Sequence, residues 1–117
     1  MNTQLGDAEE RFLNLIWDHE PINSTKLVKV CEVTMNWKKP TCFTVLRRLT
    51  EKGLVRNENS TVTACVSREE LGALRGESLI QKNFNGSLPA FLVAFTEKQK
   101  LSKEDIEKIK AIIDAAE

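Results

Sequence analysis

The sequence predicts a mainly α-helical chain with one small β-hairpin. Apolar residues recur at helical spacing in several segments, and the clearest set lies at i, i+3, i+4 and i+7: Cys42, Val45, Leu46 and Leu49. Segment 55–66 is instead rich in β-branched residues and has asparagine and serine at its middle, which is typical of a short hairpin. Serine, asparagine and aspartate at regular intervals mark the starts of the predicted helices.

Three helices are predicted before the hairpin. Asp7, with a glutamate three residues later, has the spacing of a capping box, so we expect the first helix to start there and to end before Pro21. Asn23 is the predicted N-cap of a short second helix. The third covers residues 39–52 and ends at Gly53, the residue type that most readily follows a helix. Helix, turn, helix and hairpin in this order predict a winged helix-turn-helix domain.

Three further helices are predicted after the hairpin. Ser67 is expected to cap a helix that runs towards Phe84 and ends at Asn85-Gly86. Ser87 begins a short apolar helix, and Ser102 begins the last one. We therefore divide the chain into a DNA-binding domain over residues 1–66 and a helical dimerisation region over residues 67–117.

The last two predicted helices carry more apolar surface than a helical hairpin can cover by itself. A second copy of the chain is the natural cover, so we predict a homodimer. The alternative is that these helices fold back on the N-terminal core. The predicted interface residues are Leu88, Phe91, Leu92, Phe95, Ile106, Ile109 and Ile113.

The side of the third helix opposite its apolar face is small, polar and basic. Such a face could simply be solvated, but the preceding helix, the tight turn and the following hairpin favour insertion of helix 39–52 into a DNA major groove. We expect Thr41, Thr44 and Arg48 to reach base edges or phosphates and Phe43 to meet a thymine methyl group. The residues expected to hold the sugar-phosphate backbone are Lys38, Lys39, Arg47 and Lys52.

The charge distribution agrees with this interpretation. Seventeen basic and seventeen acidic residues give a formal net charge of zero, which argues against a protein that coats nucleic acid non-specifically. Segment 36–56, however, holds six basic residues against Glu51 alone. Segment 101–117 has three basic residues against five acidic ones. Only the first of these segments is electrostatically suited to phosphate.

The residues that usually carry catalysis or bind metals are scarce. Cys31, Cys42 and Cys65 form no Cys-x-x-Cys or Cys-x-Cys pair, so we predict neither a disulfide nor a zinc site and interpret each cysteine as a packing residue. With one histidine, no glycine-rich phosphate loop and no paired carboxylates at an apolar site, an enzyme has little support. No catalytic residue, metal ligand or cofactor is predicted.

The sequence shows no sign of a membrane location. No stretch approaches the roughly 20 apolar residues of a membrane span. Residues 1–7 are polar and lack the basic and then apolar pattern of a signal peptide. We expect a cytoplasmic protein without a membrane partner.

Nearly the whole chain resembles the penicillinase-repressor family, which includes the methicillin-resistance and copper-responsive repressors. The most specific part is Trp37, Thr41, Thr44, Leu46, Arg48, Leu49, Lys52 and Gly53, which follows the family pattern Trp…Thr-x-x-Thr-x-Leu-x-Arg-Leu-x-x-Lys-Gly. Segments 67–70, 86–87 and 95–107 are similar to the linker helix and dimerisation region of the family.

The resemblance implies a homodimeric transcriptional repressor whose winged domains bind inverted repeats related to TACA and TGTA. Such repressors act on promoters of resistance or metal-homeostasis genes. Some members are inactivated by proteolysis after a membrane receptor senses a β-lactam, so a regulatory protease is a further partner that the resemblance suggests. The other two partners that the resemblance implies are double-stranded operator DNA with dyad symmetry and a second copy of the chain.

Three departures limit what the resemblance implies. The predicted wing is about four residues shorter than usual, with Val62 and Ala64 at positions of its Gly-Arg and aromatic residues, so the resemblance does not extend to wing contacts with the DNA backbone. The Asn-Phe bond cut in the β-lactam branch maps to Ser78-Leu79, so we expect no cut there, and Asn83-Phe84 falls five residues later. The C-terminal Cys-x-Cys pairs of the copper branch are absent. The inducing signal is therefore open.

Two functions remain after the enzyme is set aside. The first is a sequence-specific DNA-binding repressor. The second is a winged-helix protein-interaction module that has lost specific DNA binding, which the short wing and the zero net charge motivate. Titration with a TACA/TGTA dyad separates the two.

Overall fold

The structure is a computed structural model that describes residues 1–116, and it confirms a mainly helical chain with a small sheet. The elements are α1 Asp7–His19, β1 Ile22–Asn23, α2 Ser24–Met35, α3 Lys39–Glu51, β2 Val55–Glu58, β3 Thr61–Ala64, α4 Arg68–Phe84, α5 Leu88–Lys98 and α6 Lys103–Ala115. All six predicted helices and both strands of the predicted hairpin are present. No helix in the described part of the chain is long and apolar enough to cross a membrane.

The chain forms two compact units, Met1–Arg75 and Gly76–Glu117. The break between them falls inside α4, so residues 68–75 group with the N-terminal unit. The sequence predicted a boundary at residue 66 between a DNA-binding part and a dimerisation part. That boundary separates functions rather than compact units, and it stays a prediction.

Side-chain caps begin most of the helices where the sequence predicted them. Asn23 accepts a hydrogen bond from the N–H of Thr25 at 2.9 Å and so begins α2. The hydroxyls of Ser67, Ser87 and Ser102 each accept the backbone N–H three residues later, at 3.0 to 3.1 Å. These bonds satisfy N–H groups that the first turn of a helix leaves without an acceptor.

The capping box predicted at Asp7 is wrong. The N-cap of α1 is Gly6, whose extended backbone lets its carbonyl accept the N–H of Glu10 at 3.0 Å without any side-chain cap. Asp7 is instead the first helical residue. Its carboxylate, with those of Glu9 and Glu10, lies in the first turn, where the positive end of the helix dipole favours negative charge.

The sheet has one strand more than the predicted hairpin. β1 pairs with β3 through Ile22 and Val62, which gives the antiparallel order β1-β3-β2. The hairpin turn lies at Asn59 and Ser60, both with positive φ, as a two-residue type I′ turn requires. The carbonyl of Ser60 also accepts the N–H of Ser24, so the hairpin is tied to the start of α2.

The hydrophobic core lies within the N-terminal unit. It is built from α1, α2, α3, the sheet and the start of α4, and the last buried member along the chain is Leu71. The predicted apolar face of α3 is confirmed, since all four of its residues are buried. Gly53, with φ of 80°, lets the chain leave α3 and enter β2. The buried face thus fixes which side of α3 faces outward.

Two cysteines that are far apart in the sequence meet in this core. Cys31 of α2 and Cys42 of α3 are fully buried, and the thiol of Cys42 donates a hydrogen bond to the sulfur of Cys31 at 2.8 Å. Cys65 is exposed. Spacing along the chain could not predict this contact, because it depends on how α2 and α3 pack.

Two arginines attach the first turns of α4 to α1, and we call them and their partners the α1–α4 clamp. The guanidinium of Arg68 lies 5.0 Å from the ring centre of Trp17 and 3.2 Å from the carboxylate of Asp18. Arg75 donates to the carboxylate of Glu10 at 2.5 Å. These contacts explain why the start of α4 groups with the N-terminal unit.

The C-terminal unit keeps its apolar side chains accessible. No described residue of α5 or α6 is buried in the single chain. Phe91 contacts Phe84 and Phe95, with ring centres 5.5 and 5.9 Å apart, but Phe95 is still 40% exposed and Ile113 57% exposed. Among the described residues, the apolar faces of α5 and α6 thus remain accessible, as an interaction surface would be.

Candidate nucleic-acid interface

The outward face of α3 presents the side chains that the sequence predicted for DNA contact. Thr41, Arg47 and Arg48 are exposed, Thr44 is half-buried, and Phe43 is 39% exposed. The buried face of the same helix is anchored in the core, so these five side chains are held on a rigid element rather than on a loop. Rigid positioning is what base recognition requires.

The N-terminus of α3 is suited to an anion. Lys38 is the N-cap residue and makes no side-chain cap, and Pro40 occupies the first turn. The N–H groups of Lys39 and Thr41 therefore lack acceptors within the helix, and they add to the partial positive charge of the helix dipole. The exposed ammonium groups of Lys38 and Lys39 lie at the same end. A phosphate oxygen is the ligand that this combination favours.

The hydroxyl of Thr44 is already committed as a donor. It donates to the carbonyl of Pro40 at 2.9 Å, one turn earlier. Its lone pairs remain free, so in this rotamer it can act only as an acceptor. In a major groove, the amino groups of adenine and cytosine are the donors that would match it.

The two neighbouring arginines of α3 differ in their surroundings. The guanidinium of Arg47 lies 3.8 Å from the carboxylate of Glu51, and both side chains are about 70% exposed, so this pair is weak. Within residues 1–116, no carboxylate lies at ion-pair distance from Arg48. Arg48 therefore has the full donor set of its guanidinium available for a bidentate contact.

Lys52 lies in a different environment from the other predicted phosphate contacts. Its ammonium is 2.5 Å from a carboxylate oxygen of Glu9 and donates to the carbonyl of Gln4 at 2.7 Å. Its own carbonyl accepts the N–H of Asn2 at 2.9 Å. The role of Lys52 on DNA stays a prediction, and the structure gives it a second role, that of holding the N-terminal segment and α1 at the end of α3.

We expect Glu9→Gln to lower the free energy of unfolding by about 1–3 kcal/mol, because it leaves the half-buried Lys52 ammonium without its counter-charge. Chemical denaturation measures this change. Glu51→Gln is the matched control, since it removes the carboxylate of the exposed Arg47 pair and should cost less than about 0.5 kcal/mol. Equal losses in the two variants would show that the Lys52 pair has no structural role.

The wing adds residues that the sequence alone did not assign to the interface. Asn57 lies in β2 and lines a shallow groove with Phe43 and Arg47 of α3. Arg56 is exposed and lies 3.5 Å from Glu58. Val62 is fully buried, so this position, which departs from the family pattern, packs in the core instead. The exposed part of the wing therefore runs over residues 56–61, from β2 through the turn to the start of β3.

A family profile described as "Penicillinase repressor" matches residues 5–115. The chain belongs to the penicillinase repressor family. The family consists of transcriptional repressors. The predicted resemblance is thus confirmed over nearly the whole chain.

Two curated relatives show how far this family member has diverged. The penicillinase repressor of Bacillus licheniformis is 27% identical over 95% of this chain and 90% of its own length. The methicillin resistance regulatory protein MecI of Staphylococcus aureus is 23% identical over 95% of this chain and 94% of its own. Both alignments extend well beyond the winged domain.

Two solved structures confirm the winged-helix fold of this repressor. The solution structure of the DNA-binding domain of the repressor BlaI matches with a TM-score of 0.51 and 29% identity, over 58% of this chain and 88% of that one. The Bacillus licheniformis BlaI monomeric form in complex with the blaP half-operator matches with a TM-score of 0.50 and 30% identity, over 57% and 87%.

Proposed function

We propose that this chain represses transcription as a homodimer that inserts α3 of each copy into the major groove of one half of an inverted-repeat operator. The observation that carries the proposal is the core-anchored α3, which combines an accessible Thr41, Thr44 and Arg48 with an uncapped, lysine-rich N-terminus. Family membership supports it, as does the BlaI relative solved with a half-operator.

The contacts divide into two groups. Arg48, Thr44 and Thr41 form the group that reads base edges, and Phe43 packs against a thymine methyl group. Phosphates are held by Lys38, Lys39 and the N-terminus of α3 at one end, and by Arg47 on the flank. Sequence discrimination thus depends on the middle of α3, whereas general affinity depends on its start.

Dimerisation is proposed from the uncovered apolar faces of α5 and α6. Two recognition helices related by a dyad enter successive major grooves about 34–36 Å apart. A dimer therefore requires two half-sites in one helical phase. The apolar side chains proposed to form its interface are Leu88, Phe91, Leu92, Phe95, Ile106, Ile109 and Ile113.

A regulatory protease remains a proposed partner from the family resemblance alone. The bond between Ser78 and Leu79 lies inside α4, where cleavage needs local unwinding of the helix. Asn83-Phe84 lies in the last turn of the same helix. We expect no cut between Ser78 and Leu79, since the Asn-Phe pair is missing there.

Fluorescence anisotropy tests the proposal with three duplexes. They are a TACA/TGTA dyad, a duplex whose half-sites are moved apart by half a helical turn, and a scrambled duplex. Binding should be tight on the dyad and near the non-specific level on the other two. The second candidate, a protein-interaction module, is favoured by the short wing, whose two strands have four residues each, and by the zero net charge. This second candidate is preferred if no duplex binds with a dissociation constant below about 10 µM, a value within the range of non-specific binding.

We expect the double variant Lys38→Ala, Lys39→Ala to weaken binding to dyad and scrambled DNA alike. Both lysines are exposed at the start of α3 and have no base-reading geometry, so the variant affects phosphate binding only. The slope of log affinity against log salt should flatten by about 0.9 for each phosphate that is no longer neutralised. Titrations at several salt concentrations measure it. Lys29→Ala in α2 is the control, and an equal effect there would assign the weaker binding to overall charge.

A further inference from the structure

We propose that Cys31 and Cys42 form an oxidisable dithiol, which hydroperoxides convert into a disulfide that joins α2 to the recognition helix α3. The inference rests on the side-chain contact between the two helices and does not depend on DNA binding. It identifies a modification site beneath the interface, on the buried side of the same helix.

Geometry places the two sulfurs ready for a bond. They lie 2.8 Å apart, and a disulfide needs about 2.05 Å, so the approach required is below about 1 Å. The two residues belong to the two helices of the helix-turn-helix, and Asn36, with φ of 55°, makes the turn between them. A bond there closes a short loop that contains this turn. No other cysteine is near, since Cys65 lies exposed beyond β3.

The chemistry balances with a hydroperoxide as the oxidant. One thiolate attacks the peroxide oxygen, the O–O bond breaks, and a sulfenic acid and one water are formed when hydrogen peroxide is used. The second sulfur then attacks the sulfenic sulfur, the S–O bond breaks, and a second water leaves. Two thiols lose two electrons and two protons, and the peroxide gains them.

Burial sets the rate of the first step. Burial, the hydrogen bond with Cys42, and the charge of Glu32 raise the pKa of the Cys31 thiol to about 12, and Arg11 of α1 acts in the opposite direction. Because only the thiolate attacks, oxidation should be slow at neutral pH and should quicken as the pH rises. Exposed Cys65 should react first. The dithiol thus responds to sustained peroxide rather than to brief exposure.

The decisive variant is Cys65→Ser, which leaves only the buried pair. The folded full-length variant is incubated with millimolar hydrogen peroxide and then alkylated in denaturant. Its mass is measured by mass spectrometry. We expect loss of two hydrogen atoms without alkylation, and a cross-link between tryptic peptides 30–38 and 39–47. Two alkylated thiols, or sulfinic acid without the cross-link, would overturn the proposal. This readout needs no change in the core.

The effect of the disulfide is measured as a change in folding stability and in affinity for DNA. A loop of this length should lower the unfolding equilibrium constant by roughly 10- to 100-fold, while affinity for the dyad changes by less than about threefold. Cys31→Ala in the Cys65→Ser background, checked by circular dichroism, should gain no stability. Loss of stability or of dyad binding on oxidation would contradict the inference. Absence of dyad binding before oxidation would instead count against the proposed function and leave the cross-link result valid.

Discussion

Arg48→Ala is expected to weaken binding to the operator dyad by about 1–3 kcal/mol per half-site and to change binding to scrambled DNA much less. The reason is that Arg48 is exposed in the middle of α3 and, within the described chain, has no carboxylate at ion-pair distance. Its guanidinium can therefore make the bidentate contact that guanine offers in the major groove. Paired anisotropy titrations on both duplexes measure the difference.

Arg47→Ala is the matched control, because it removes the same charge one residue away. Arg47 is paired weakly with Glu51 on the flank of the helix, so its removal should lower both affinities alike and flatten the salt dependence. Thr44→Ala should behave like Arg48→Ala, since it removes an acceptor from the same face. If Arg48→Ala lowers both affinities equally and changes only the salt slope, Arg48 holds a phosphate and does not read a base.

Phe95→Ala is expected to destabilise the dimer by about 3–5 kcal/mol for each ring that the interface buries fully. In the single chain Phe95 is 40% exposed and contacts Phe91, so in the proposed dimer a second copy would supply the remaining cover. A destabilisation of this size raises the dissociation constant at least about 100-fold. Sedimentation equilibrium measures it, with circular dichroism to confirm that α5 stays helical.

Val33→Ala is the control for this variant. Val33 is 88% exposed on α2, outside the proposed interface, and its truncation should leave the dissociation constant unchanged. Wild-type protein that sediments as a monomer at micromolar concentration would reject the homodimer. In that case the apolar faces of α5 and α6 would need a different partner.

Features that depend on neighbouring residues could be predicted from the sequence. The buried face of α3 follows from the period of the helix, and every member of the predicted set is buried. Asn23 begins α2 through a bond to an N–H only two residues away. The predicted N-cap of α1 is wrong by one residue, because an extended Gly6 can begin a helix without the side-chain bond that Asp7 suggests.

Features that depend on packing could not be predicted. β1 has two residues, too few for an alternating pattern, and its partner Val62 lies forty residues later in the chain. The pairing of Lys52 with Glu9 and the contact of the two buried cysteines likewise join separate helices. In the sequence the basic residues at α3 therefore look alike. In the structure Lys52 is paired with Glu9, whereas Arg48 has no ion-pair partner among the described residues.

The α1–α4 clamp determines what a chain without α5 and α6 would still be able to do. Because Arg68 and Arg75 hold the start of α4 on α1, a cut beyond Arg75 leaves every element of the winged domain in place. If the chain dimerises through α5 and α6 as proposed, such a cut removes the avidity of the dimer. Two linked domains bind the second half-site at a millimolar effective concentration, which can raise overall affinity by about 10²–10⁴-fold. Removal of the C-terminal unit would therefore lower operator occupancy while each winged domain kept its own way of binding DNA.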